Sequence, residues 1–345
     1  MFNKKSKIEL NKDLEKESFK RITCSFYRYC EIDNPEELRD TLYQNLSDFN
    51  ILGRIYVATE GINAQISIPE HKWNDFQNYI NTLSFLTGIK LKKAVQEGIS
   101  FIKLTIKVKE EIVAYNISKD TYDMNKVGKH LSASEFNQSL EDKDSIVVDI
   151  RNYYESEVGK FEGAITPDVD RSKELLPEIV ELLADKKDKK LHLYCTGGIR
   201  CEKASSYLLK QGFKEVYQLD GGIVQYAHDV KEEGLSSKFI GKNFVFDNRL
   251  GERITEDIIG KCHQCGEKAD SHTNCANDAC HILFIQCEKC AIKYSACCST
   301  DCEDFTKLDM DTQKELRKDI AKTVSSSKLS SKIKPKLYKL FNYWK

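Results

Sequence analysis

The sequence predicts an α/β protein in three modules: a ferredoxin-like domain, a doubly wound parallel-sheet domain and a cysteine-rich module. Three observations carry this reading. Residues 21–115 follow the order βαββαβ, residues 131–235 alternate strand and helix, and nine of the thirteen cysteines fall between Cys262 and Cys302. The 345 residues exceed one typical core and suit two or three domains. A net charge of −1 excludes nucleic-acid binding by overall charge, so any such contact must use local patches. The start, Met1-Phe-Asn-Lys-Lys-Ser-Lys7, lacks the apolar segment of a secretory signal, and no apolar run approaches membrane-spanning length. A cytoplasmic protein with no membrane partner is expected. In a reducing compartment its cysteines read as catalytic or metal-binding.

Residues 1–20 are polar and charged, a loose tail or an irregular helix. Residues 23–29 read as a strand, and Asn34-Pro-Glu-Glu37 opens a helix, with proline in its first turn and acids at its positive end. Residues 54–59 and 64–68 are short strands about the turn Glu60-Gly-Ile-Asn63. A helix at 70–83 and a strand at 101–108 complete the split βαβ pattern. Residues 116–130 look like a linker. A helix follows at 132–140, and Ser145-Ile-Val-Val-Asp-Ile150 fits a buried parallel strand. Helices at 174–183 and 202–211 then alternate with strands at 191–194 and 215–219, the doubly wound pattern. Residues 236–310 lose apolar content and form the cysteine-rich module, and residues 311–345 a basic helical tail.

Within the second domain, Cys195-Thr-Gly-Gly-Ile-Arg200 stands where a strand ends and a helix begins, the place such sheets put their sites. Backbone N–H groups of the turn, the helix N-terminus and the Arg200 guanidinium all favour a thiolate, so Cys195 reads as a nucleophile. The competing reading is an inert, packed cysteine. It leaves Gly197, Gly198 and Arg200 without a reason. Cys201, six positions on, is either a second thiol able to resolve an oxidised Cys195 as a disulfide or a core side chain.

The cysteine-rich module contains Cys262-His-Gln-Cys265, Cys275-Ala-Asn-Asp-Ala-Cys280, Cys287-Glu-Lys-Cys290 and Cys297-Cys298-Ser-Thr-Asp-Cys302. Each pair can turn tightly and offer two thiolates to one tetrahedral ion. We expect two zinc sites from Cys262, Cys265, Cys275, Cys280, Cys287, Cys290, Cys297 and Cys302, with His263, His272 and His281 as substitutes. Metal would stabilise a segment with little core of its own. Reduced packing cysteines and an iron–sulfur cluster are the alternatives.

Residues 320–345 hold seven lysines and no acid and end in Phe341, Tyr343 and Trp344. Such a tail can bind RNA phosphate and stack on bases, or be merely solvated. Lys90, Lys92, Lys93, Lys103, Lys107 and Lys109 form a second basic stretch.

Val148-Asp-Ile-Arg151, the Cys195–Arg200 loop and Leu219-Asp-Gly-Gly222 together resemble the rhodanese family over residues 130–235. There the loop cysteine carries a persulfide in sulfur transfer. The resemblance makes Cys195 the nucleophile, Arg200 a loop residue near the reacting group, and Asp149 and Arg151 supporting residues. Ala58-Thr-Glu-Gly-Ile-Asn63, Cys195–Lys203, Ser271-His-Thr-Asn-Cys-Ala-Asn277 and Phe284-Ile-Gln-Cys287 extend the likeness to a bacterial family, the rhodanese-domain tRNA uridine 5-hydroxylases, over residues 20–305. That resemblance implies an acylphosphatase-like first domain and oxygen-dependent hydroxylation of the wobble uridine at carbon 5. It also implies tRNA, through its anticodon loop, as the partner and molecular oxygen as co-substrate. No glycine fingerprint for a nucleotide cofactor and no facial-triad iron signature is present. A rhodanese-type sulfurtransferase working through a Cys195 persulfide and a non-enzymatic RNA-binding or redox-sensing protein are the rival readings.

Overall fold

The computed structural model describes residues 5–323. The expected loose tail contains a short helix, α1 (Lys7–Glu15), started by Ser6, whose hydroxyl accepts the Glu9 N–H while the Glu9 carboxylate accepts the Ser6 N–H. It buries none of its side chains.

The first domain comprises β1 (Arg21–Tyr29), α2 (Pro35–Asp48), β2 (Leu52–Ala58), β3 (Gly61–Pro69), α3 (Trp73–Thr82), β4 (Lys92–Lys93) and β5 (Leu104–Val108). Its sheet runs β4-β1-β3-β2-β5. The fourth strand of the ferredoxin-like pattern is β4, antiparallel to β1, whereas the strand expected at 101–108 adds to the far edge, parallel to β2. A two-residue strand is too short to leave an alternating pattern in sequence. Strand alternation then divides the sheet into two faces. Cys24, Phe26, Ile55, Val57, Ile62, Ala64 and Ile66 pack under α2 and α3. The opposite face carries two cross-strand rows, Tyr27–Asn63–Tyr56 and Ser25–Gln65–Arg54.

The second domain contains β6 (Lys129–Leu131), α4 (Ala133–Ser139), β7 (Ser145–Asp149), α5 (Tyr153–Ser156), β8 (Gly159–Phe161), α6 (Ser172–Leu182), β9 (Lys190–Tyr194), α7 (Ile199–Lys210), β10 (Glu215–Leu219) and α8 (Gly222–Glu233). Its parallel sheet is ordered β6-β10-β9-β7. Val113 and Tyr115 are buried in this domain's core, so the chain joins it before the expected linker begins. The last residues of that linker are the sheet strand β6.

The third module shares a small sheet with the second domain. β11 (Phe239–Asn243) pairs antiparallel with β8 on one side and with β12 (Glu252–Arg253) on the other. The hairpin β13 (His272–Asn274) and β14 (Leu283–Ile285) follows, with α9 (Glu288–Lys293), α10 (Thr300–Lys307) and α11 (Met310–Thr323). Among the described residues no helix is long and apolar enough to cross a membrane. The basic tail beyond α11 lies outside the described residues.

Candidate active site

β9 delivers Cys195 to the carboxyl edge of the parallel sheet, and the chain turns through Gly197 and Gly198 into α7. Gly198 holds φ at +94°, and a Cβ there would stand 2.8 Å from the Tyr27 hydroxyl. Gly222 of the closing turn lies against the loop, where a Cβ would come within 2.5 Å of the Cys195 carbonyl oxygen. Ile223 N–H donates to that oxygen at 3.0 Å and Val224 N–H to the Thr196 carbonyl at 3.1 Å. The glycines thus let two turns share one cradle.

The Cys195 thiol is wholly buried and accepts the Gly198 N–H at 3.1 Å. Burial opposes its ionisation. The Cys201 thiol, the Arg200 charge and the N–H groups of Cys201 and Arg200 outweigh that and lower it to about 6. Cys201, equally buried, is pushed well above its ordinary range by burial and by that same hydrogen bond. Within the pair the environment favours Cys195 as the anion and Cys201 as the thiol.

Arg200 does not project freely. Its guanidinium makes a two-point pair with Glu155 at 2.6 and 2.8 Å, touches Thr196 Oγ1 at 3.2 Å and lies over the Phe246 ring. Glu155 is completely buried. Asp149 and Arg151 form a second buried two-point pair, closed by the Tyr194 hydroxyl on Asp149 at 2.7 Å and by Arg151 on the Gly159 carbonyl at 2.7 Å. This pair ties β7 and β9 to β8 and supports the loop from behind.

Sequence reasoning did not find Glu155, although the spacing Asn152-Tyr-Tyr-Glu155 is an N-terminal helix signature. Its carboxylate indeed accepts the Asn152 N–H at 3.0 Å. The contributions of the first domain and of the segment that follows it also went unread. The Tyr27 hydroxyl donates to Glu202, the Tyr29 hydroxyl to the Ile199 carbonyl and the Tyr115 hydroxyl to the Arg200 carbonyl. Lys203, fully buried in α7, pairs with Glu60 at 2.7 Å and with Glu111 at 3.1 Å. These contacts fasten the first turns of α7 to the first domain.

Between the loop and the polar sheet face lies a cavity of about 350 Å³. Thr196, Gly197 and Arg200 line one side; Tyr27, Arg54, Tyr56, Asn63, Gln65 and Lys92 line the other; Val245, Phe246, Asp247 and Arg249 close a third. Of the basic stretch, Lys92 alone among the described residues lines this cavity. Its ammonium lies 4.4 Å from the centre of the Tyr27 ring. Burial lowers it to about 8, opposed by the Cys195, Asp220 and Glu202 charges. Lys90 pairs with Asp220, and Lys93 and Lys109 lie over Trp73 and Tyr56.

The cysteine-rich module brings together two sets of four thiols: Cys262, Cys265, Cys287 and Cys290, and Cys275, Cys280, Cys298 and Cys302. Within each set the sulfurs all lie within 4.8 Å of one another. The Cys265–Cys287, Cys280–Cys298 and Cys298–Cys302 separations are 3.6, 3.7 and 3.6 Å. A tetrahedron with zinc–sulfur arms of about 2.3 Å has edges of about 3.8 Å, so both sets fit that ion. One expectation is corrected: the second set takes Cys298, not Cys297. Ser299 caps α10, which sets Cys298 and Cys302 one turn apart. The buried Cys297 instead offers its carbonyl to Gln264 and Gln286. His263, His272 and His281 join neither set.

Three family profiles match in succession: the UPF0176 acylphosphatase like domain at residues 21–112, the rhodanese-like domain at 132–229 and the rhodanase C-terminal at 240–303. The chain is 49% identical over 334 residues to a tRNA uridine(34) hydroxylase of Leptospira interrogans, covering 96% of this chain and 91% of that protein. It is likewise 49% identical over 319 residues to a tRNA uridine(34) hydroxylase of Pectobacterium carotovorum, covering 92% of this chain and 90% of that one.

Proposed function

Since the chain belongs to the tRNA uridine(34) hydroxylase family, we propose that it hydroxylates carbon 5 of the wobble uridine of tRNA, with Cys195 as the nucleophile. The observation that carries this reading is the buried Cys195 thiol, held in a loop that favours its ionisation, next to Thr196, Gly197 and Arg200, which line a cavity whose opposite wall is polar and aromatic. A loop base can be unstacked and received in such a pocket. A tRNA substrate, bound through its anticodon loop, supports a cytoplasmic activity.

The chemistry follows from the thiolate. Its lone pair forms a bond to carbon 6 of uracil, and the carbon 5–carbon 6 π electrons move onto carbon 5 and the adjoining carbonyl. Carbon 5 then attacks an electrophilic oxidant. Loss of its proton and departure of the Cys195 thiolate restore the ring. With dioxygen as co-substrate, one oxygen atom enters the base and the other leaves as water. Two electrons and two protons balance this, supplied by a thiol reductant that ends as a disulfide. Arg200, fixed by Glu155, stabilises the thiolate by its charge. Gly198 N–H holds the sulfur in place. Asp149 and Arg151 act only through the loop they support.

The two cysteine sets would each hold one zinc ion. A zinc ion with four cysteine ligands has no open position, so its role is to fold the module rather than to catalyse. The test is incubation of purified protein, a thiol reductant and uridine-34 tRNA under labelled dioxygen. One labelled oxygen in 5-hydroxyuridine is expected. Unlabelled product would overturn dioxygen as the source, and thiolated tRNA would favour the persulfide sulfurtransferase.

A further inference from the structure

The cavity wall remote from Cys195 has a hydrogen-bonding pattern of its own. Asn63 and Gln65 are successive outward residues of β3. Asn63 Nδ2 donates to the Ile112 carbonyl at 3.3 Å, and Gln65 Nε2 donates to Asn63 Oδ1 at 2.7 Å. A backbone carbonyl only accepts, so it fixes the Asn63 amide, and Asn63 Oδ1 in turn fixes the Gln65 amide. The ambiguity between amide nitrogen and oxygen is thereby removed at both positions. Gln65 Oε1 remains as an acceptor on the cavity wall, and it is not among the buried atoms without a partner.

Arg54 stands directly across from Gln65 on β2. Among the described residues it has no carboxylate partner, whereas the cavity's other guanidinium groups are held: Arg200 by Glu155, and Arg249 by Asp247 and Glu252. The wall therefore offers a donor beside an acceptor. Uracil presents the complement, a carbonyl acceptor beside the N3–H donor. Cytosine presents an N3 acceptor where uracil has N3–H, and would set an acceptor against the Gln65 acceptor. The cavity, of about 350 Å³, is lined on one side by this wall and on the other by Thr196, Gly197 and Arg200 of the Cys195 loop. N3 lies across the ring from carbon 6, so a base with carbon 6 at the loop turns its N3–H edge to another wall.

We propose that Gln65 and Arg54 read the Watson–Crick edge of the target uracil, Gln65 Oε1 accepting from N3–H and Arg54 donating to a ring carbonyl. The proposal rests on the hydroxylase reading above and adds how that site tells uracil from cytosine. The test compares single-turnover hydroxylation of anticodon stem-loops carrying uridine or 3-deazauridine at position 34, the latter with C–H in place of N3–H. Both substrates are given to the wild type and to Gln65→Met, which keeps the length of the side chain but has no acceptor oxygen. Gln65→Ala gives the same comparison should the first variant fail to fold. Differences in intrinsic reactivity between the bases cancel when the two preferences are divided. One hydrogen bond predicts that the wild-type preference for uridine falls about tenfold in the variant. Equal preferences in the two proteins would overturn the proposal. Absence of product from wild type on the uridine stem-loop would sink the hydroxylase reading itself, and this proposal with it.

Discussion

Removing Cys195 should erase a thiolate that titrates near pH 6. The magnitude follows from the site. Complete burial works against the charge, yet the Cys201 thiol, the Arg200 guanidinium and the N–H groups at the start of α7 bring the group from 9.0 to about 6. At about 1.36 kcal/mol per pH unit, the fold favours the thiolate over the thiol by about 4 kcal/mol. The folded value lies below the unfolded one. The stabilisation is therefore fully present above pH 9.0, shrinks as pH falls and is gone below about pH 6. The assay is ultraviolet thiolate absorbance of wild type minus Cys195→Ser across this range, with zinc kept in excess so that the clusters cancel. Denaturant unfolding of the same pair should show the wild type gaining stability over the variant between pH 6 and 9. Cys201→Ala should shift the midpoint upward, because it removes a hydrogen bond to the anion. A midpoint near 9, or identical absorbance in wild type and variant, would refute the electrostatic argument.

Lys203→Met should lower stability by about 3–5 kcal/mol, since it leaves Glu60 and Glu111 facing each other without their buried cation. Urea unfolding measures the loss, and a change below about 1 kcal/mol would make the pair a surface-like contact. Protein purified without chelator should contain about two zinc equivalents, one for each four-thiol set. Cys298→Ser should lose one of them and Cys297→Ser neither; elemental analysis decides, and the reverse pattern would contradict the ligand assignment. Glu155→Gln should lower the Cys195 midpoint slightly, because Arg200 keeps its charge while a nearby negative charge is lost, but should slow turnover by loosening the guanidinium. An unchanged kcat with an unchanged thiolate midpoint would show that the ion pair does not position the loop.

Much of the site was legible because its signals are local. A strand end, two glycines and an arginine within six residues locate Cys195, and paired cysteine spacings locate the metal sets. What stayed hidden depends on contacts far apart in sequence. Glu155 meets Arg200 across 45 positions, and Glu60 meets Lys203 across 143. No local pattern announces such pairs. Lys92 read as one of several surface lysines, because a two-residue strand does not reveal which way it faces. The choice between Cys297 and Cys298 turned on where α10 begins, and helix ends are the least legible feature of a sequence. The strand pairing that crosses the boundary near residue 236 was hidden for a similar reason, since β8 and β11 are short strands that only pairing defines.

The central claim is that Cys195 carries hydroxylation of uridine 34. Its most direct test is nucleoside mass spectrometry of tRNA from cells lacking other wobble-uridine hydroxylases and expressing either this chain or its Cys195→Ala variant. The account predicts 5-hydroxyuridine or its derivatives at position 34 with the wild type and none with the variant at equal protein level. Wild-type amounts of the modification from a folded Cys195→Ala protein would contradict it.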